Sequence, residues 1–192
     1  MKQFPHPFRL VMTLILKGGT LTQTVEVHND SSQAFPWGLG YHTTFRFPFR
    51  EDSSEANSIF SAPIGKRWEL NARFLPTGIT MIDVRSEQLN EGIEIAGVQL
   101  DDLFQKEPAA ANEAVLTDRD AGIRVTYQAD DSFGHWVLHN GDGTGRYLCP
   151  EPYTCLTNAF NLPLPPELTG MKVIQPGQSD STACFISVST VV

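Results

Sequence analysis

In the stretch LTQTVEVHN, Leu21 to Asn29, the residues Leu21, Gln23, Val25 and Val27 share one face of an extended chain, and Thr22, Thr24, Glu26 and His28 share the other. A period of two with this content of Thr and Val specifies a half-buried antiparallel strand. The pattern recurs. IRVTYQA turns Ile123, Val125 and Tyr127 to one side, HWVLH puts Trp136 and Leu138 together, and ACFISVS makes a further strand near the end. Lys17 to Gly19 has the composition of a hairpin turn, and NGDGTG (Asn140 to Gly145) separates two strands at turn spacing. No segment keeps helical periodicity for three turns, and the polar run Arg50 to Asn57 reads as loop. Most of the 13 prolines fall between strands, which suits an all-β fold with long connections. The expectation is an antiparallel β-sandwich, one domain spanning residues 1–192.

LVMTLIL, Leu10 to Leu16, is too short to cross a bilayer. Pro5 and Pro7 precede it and no small-residue cleavage site follows, so it reads as a buried strand, not a signal segment. A strand this close to the start has no cap for the sheet edge.

Fourteen Lys and Arg stand against 22 Asp and Glu, a net charge of −8 with no basic stripe, which disfavours nucleic acid as a partner. Cys149, Cys155 and Cys184 cannot all pair and show no CxxC spacing. They fit a reducing compartment, with the cytoplasm as the default expectation and no membrane partner.

Nucleophilic catalysis finds no support: no serine sits in a GxSxG elbow, and the cysteines have no evident histidine partner. His135 and His139 share one face of their strand beside Val137 and read as solvent-facing rather than as a metal site. GDGTG lacks the later glutamate of a Ca²⁺ loop and reads as a turn. Two residues remain whose surroundings make little structural sense. His42 ends FPWGLGYHTTF, where Pro36, Gly38 and Gly40 weaken a strand and permit close approach of another group. Glu151 stands between Pro150 and Pro152, just after the short strand RYLC, and the prolines restrict its backbone. Facing one small substrate, the two would form a general acid–base pair. The alternative is a surface glutamate and a hydrogen-bonded core histidine.

Five segments together resemble the galactose mutarotase (aldose 1-epimerase) family, in the family's order. They are LTQTVEVHNDSSQAFPWGLGYHTTF, ELNARFLPTG, LDDLF, CPEPYTCLTNAFN and VIQPGQSDSTACFISV. The resemblance implies a mutarotase-like sandwich, incomplete at its N-terminal side, because it covers the C-terminal part of the longer family members. It implies interconversion of the α and β anomers of an aldohexose such as galactose or glucose, with Glu151 as base, His42 as acid and Asp101 holding sugar hydroxyls. Neither a metal nor an organic cofactor is implied. Thr43, Thr44 and Phe45 stand where the family usually has Pro-Tyr-Phe, and Gln178 stands where Glu is common. An arginine and a second histidine of the family site match nothing here, so a non-catalytic carbohydrate-binding or assembly module, or an inactive fragment, is the alternative. Exposed strand edges would then invite self-association.

Overall fold

The computed structural model describes residues 4–191. The strands, in chain order, are β1 (Phe8–Lys17), β2 (Thr20–Asn29), β3 (Phe35–Trp37), β4 (Phe45–Arg46), β5 (Ser58–Ser61), β6 (Ile64–Leu70) and β7 (Pro76–Met81). There follow β8 (Ile93–Glu94), β9 (Asp101–Lys106), β10 (Glu113–Asp118), β11 (Ile123–Ala129), β12 (His135–His139), β13 (Tyr147–Tyr153), β14 (Lys172–Ile174) and β15 (Ser179–Thr190). Helices α1 (Val84–Glu91) and α2 (Pro166–Thr169) are short, as the lack of helical periodicity leads one to expect.

Two antiparallel sheets make the sandwich. One runs β1-β2-β15-β11-β10-β5-β8 and the other β4-β13-β12-β9-β6-β7, with β14 and β3 forming a separate ribbon. The alternation predicted from sequence is realised: Val25 and Val27 of β2, and Val125 and Tyr127 of β11, are buried. Gly18 and Gly19 turn between β1 and β2 with φ of 58° and 79°, backbone that a residue with Cβ resists.

The main core lies between the sheets. The first contributes Phe60, Leu116 and Tyr127, and the second Phe104, Trp136, Leu138 and Leu148. Each such side chain contributes about 1.5–3 kcal/mol by leaving water. Trp136 sets its edge against Tyr127, ring centroids 5.9 Å apart, and donates Nε1–H to Asn112 Oδ1 at 2.8 Å. The indole therefore buries its polar atom without loss.

Leu10 to Leu16 does form a strand, within β1, but it is not buried. All ten residues of β1 are exposed, Leu16 at 77%. Among the described residues β1 pairs only with β2, along one edge, which leaves the backbone donors and acceptors of its second edge free among them.

On the outer face of the second sheet, Trp68, Leu103, Leu156 and Ala159 form a separate buried cluster. The segment following β13 folds across that face, fixed in part by Leu156 N–H donating to Thr169 O at 2.8 Å.

Candidate active site

His42 reaches the outer face of β13 because the chain before it is sewn to that strand. Thr154 N–H donates to Leu39 O at 2.8 Å, Leu39 N–H to Thr154 Oγ1 at 2.8 Å, and Tyr41 N–H to Pro152 O at 3.2 Å. A single bridge pairs Gly40 with Tyr153. A Cβ on Gly40 would stand 2.8 Å from the Tyr153 ring, and one on Gly38 would collide with Cys155 Sγ. The glycines that spoil this stretch as a strand are what allow it to lie so close. Beyond them the side chains alternate: Thr43 Oγ1 donates inward to Tyr127 Oη at 3.1 Å, and Thr44 Oγ1 lies 3.2 Å from Cys149 Sγ.

Glu151 does not follow a short strand, as its prolines suggested, but lies inside β13 opposite Val137. The prolines are tolerated for a geometric reason. The Pro152 carbonyl points to Tyr41, so its nitrogen also faces away from β12 and removes no bond from that ladder. With period two, Tyr147, Cys149, Glu151 and Tyr153 share the outer face.

The Glu151 side chain is 3% exposed, whereas that of His42 is 66% exposed, and Oε1 lies 3.2 Å from His42 Nε2. Tyr153 Oη donates to Oε2 at 3.1 Å. Burial raises the Glu151 pKa above the usual carboxylate range, a shift opposed by His42, the Tyr153 hydroxyl and His139 and reinforced by Asp101. Tyr153 is itself pushed up to about 12 by burial and then by the Glu151 charge.

Register brings in the third candidate. His139 of β12 is paired with Asp101 of β9 on one side and with Cys149 of β13 on the other. Its Nδ1 lies 3.2 Å from Asp101 Oδ1, and its ring centroid is 6.3 Å from that of His42. His42, Asp101 and Glu151 thus share one face, linked through His139. Asp101 also lines a depression of about 240 Å³ with Arg67, Trp68 and Phe74. Phe74, exposed and left-handed at φ 57°, belongs to the ELNARFLPTG segment.

Cys149 and Tyr153 were not placed in the site from the sequence, and His139 was read there as solvent-facing. Alternate positions along β13 were the available signal for Cys149 and Tyr153, and nothing local tied His139 to Asp101. The reading of His135 and His139 as two solvent-facing histidines fails for His135, which is 3% exposed. The outer segment covers it, and desolvation lowers its pKa from 6.5 to about 4. It lines a cavity of about 900 Å³ that none of the acid–base candidates lines. His42 Nε2, Cys149 Sγ and a Glu151 carboxylate oxygen all lie within 4.8 Å of one another.

A sequence profile of the aldose 1-epimerase family matches residues 1–184. The expectation that only the family's C-terminal part would be represented is therefore not borne out. A galactose mutarotase-like protein from Clostridium acetobutylicum superposes with a TM-score of 0.92 at 29% identity, over 99% of this chain and 58% of that one. A putative aldose 1-epimerase from Escherichia coli K12 gives 0.78 at 16% identity, over 97% and 62%. Galactose 1-epimerase from Lactobacillus acidophilus NCFM gives 0.70 at 12%, over 98% and 59%. The two more distant likenesses speak for the fold. The chain spans about three fifths of the length of these structures.

Proposed function

The chain belongs to the aldose 1-epimerase family, and from that premise we propose that it interconverts the anomers of an aldohexose, with Glu151 as general base and His42 as general acid. The observation that carries this reading is the buried carboxylate with an imidazole nitrogen 3.2 Å away on an open face. A sugar entering between them would part the two, and His42, exposed at the end of its sewn segment, is the one free to swing out. Glu151 then takes the proton of the anomeric hydroxyl while the His42 imidazolium protonates the ring oxygen, and the bond from C1 to that oxygen breaks. Rotation about C1–C2 turns the aldehyde over. In closure Glu151 returns its proton to the carbonyl oxygen and His42 recovers its own, so neither group is consumed. Desolvation that lifts the Glu151 pKa brings a carboxylate nearer the working pH, where a general base is most effective. Asp101, held by His139, would accept hydrogen bonds from sugar hydroxyls.

The test is the rate of anomer exchange, followed by polarimetry on a freshly dissolved single anomer of galactose or glucose. A rate above the spontaneous one that disappears in Glu151→Gln supports the reading, and no acceleration at any concentration refutes it.

A second reading is favoured by the high exposure of His42 and by the span of about three fifths of the solved relatives. In it the chain binds a sugar without turning it over. Calorimetric binding without catalysis would distinguish it.

We further propose a cytoplasmic location, consistent with three free cysteines. No helix among the described residues is long and apolar enough to cross a membrane. The free edge of β1 and its apolar side chains favour pairing with a second copy of this chain.

A further inference from the structure

The face that holds Glu151 also holds a sulfur that the acid–base chemistry leaves idle. Cys149 is only 1% exposed, yet it belongs to none of the hydrophobic clusters among the described residues, whereas Cys184, equally buried, is part of the main core. A buried thiol is ordinarily a small packing residue. This one points into a polar site, where its neighbours are the Thr44 hydroxyl at 3.2 Å, His42 and Glu151.

Imidazole nitrogen, thiolate and carboxylate are the three side-chain donors that zinc accepts, and three protein ligands with a fourth position open to water make a complete coordination set. Donor atoms held tetrahedrally at 2.0–2.3 Å from one ion are roughly 3.3–3.8 Å apart. The His42–Glu151 separation is already 3.2 Å, and every pair in the trio is within 4.8 Å. His42 supplies the adjustment, because its side chain is exposed while Cys149 and Glu151 are fixed in β13. A divalent cation would also compensate two buried groups that resist carrying negative charge side by side.

We propose that His42, Cys149 and Glu151 form a three-ligand site for a thiophilic divalent cation such as Zn²⁺, and that filling it shuts the acid–base pair. On binding, the Cys149 S–H bond breaks, its proton passes to water, and the sulfur's electron pair joins the metal. Nothing is oxidised or reduced. The shutting of the pair rests on the function proposed above, whereas the metal site itself does not.

Titration of the purified chain with Co²⁺ tests the site. The expected result is one equivalent bound per chain with a near-ultraviolet thiolate-to-cobalt absorption that Zn²⁺ abolishes. Cys149→Ser should remove that absorption and weaken Zn²⁺ binding by more than ~100-fold, beyond what loss of an outer hydrogen-bond partner costs. Cys155→Ser should leave both unchanged. His42→Asn, at an exposed position where folding is not at risk, should keep the absorption and weaken binding at least ~10-fold. A folded wild-type chain without the thiolate absorption, or unchanged affinity in His42→Asn, overturns the site. If the chain epimerises sugar, saturating Zn²⁺ should abolish that activity, and an undiminished rate overturns the shutting. If it does not epimerise, the cobalt spectrum still decides the site, and the failure belongs to the functional reading.

Discussion

Strands β1 and β13 are opposites in composition and fate. β1, FRLVMTLILK, is the most apolar strand-forming sequence in the chain, yet every residue of it is exposed. β13, YLCPEPY, carries two prolines and a carboxylate, yet its five central residues are buried. β13 lies between β12 and the β4 and Gly40 contacts, with the core on one face. β1 has β2 along one edge and, apart from Phe8, whose ring lies 5.5 Å from that of Phe4 and 6.3 Å from that of Phe35, little against its faces. Local sequence makes both extended. What is buried depends on how many neighbours the topology supplies.

The sharpest way to break this contrast is to remove the charge that β13 buries. Glu151→Gln keeps the shape and cannot accept a proton, so the rate of anomer exchange should fall by ~10²–10⁴-fold with the melting temperature little changed. His42→Asn should lose a comparable factor. Equal rates in wild type and both variants would mean that the pair has no part in the chemistry.

Leu148→Ala, on the core face of the same strand, should cost about 2–5 kcal/mol in a urea titration. Leu14→Thr in β1, which deletes comparable apolar surface from an exposed site, should change stability by no more than about 0.5 kcal/mol. A larger loss for Leu14→Thr would show that something covers β1 in solution. Sedimentation then sharpens the point, because Leu14→Lys should shift a self-associated chain to monomer without lowering the stability of that monomer.

His135 supplies a smaller, pH-dependent effect. Its pKa falls from 6.5 to about 4 in the fold, so between these values the unfolded chain binds the proton and the folded chain does not. Stability is therefore lost as pH drops, by about 2 kcal/mol at pH 5 relative to neutral pH. His135→Gln, which does not titrate, should flatten that part of the profile, and an unaltered slope would remove His135 as its source. The smallest effect expected is on the acid limb of kcat/KM. With the Glu151 pKa raised, activity should appear on a rising pH limb that lies above the ordinary carboxylate range.

The contrast also marks how far sequence reading reaches. Alternation located β2 and β11 and the inward Trp136 and Leu138, because period two is a local property. It flagged an uncapped edge near the start but could not foresee that the side chains of β1 would be exposed, since burial there depends on strand order. His42, Glu151 and Asp101 stood out through motif order, and the glycines before His42 through their misfit. His139 was read as merely solvent-facing because its role comes from cross-strand register: the pairing of β9, β12 and β13 sets it beside Asp101 and Cys149. His135 looked solvent-facing because the segment that covers it comes later in the chain, folding over from beyond β13.

The position of β15 carries a consequence for how the molecule comes into being. It lies between β2 and β11, and through it the β1–β2 hairpin joins the rest of its sheet. A hairpin can close within microseconds, but its place in the sheet stays vacant until β15, far later in the chain, has been made. Val27 of β2 packs with Phe35 and Trp37, immediately before the segment that carries His42. The segment that carries His42 is itself sewn to β13, so β15 sets the place of the hairpin and not the meeting of His42 with Glu151. A chain lacking β15 should therefore keep the contacts of the His42 segment with β13 and lose the place of the β1–β2 hairpin in its sheet.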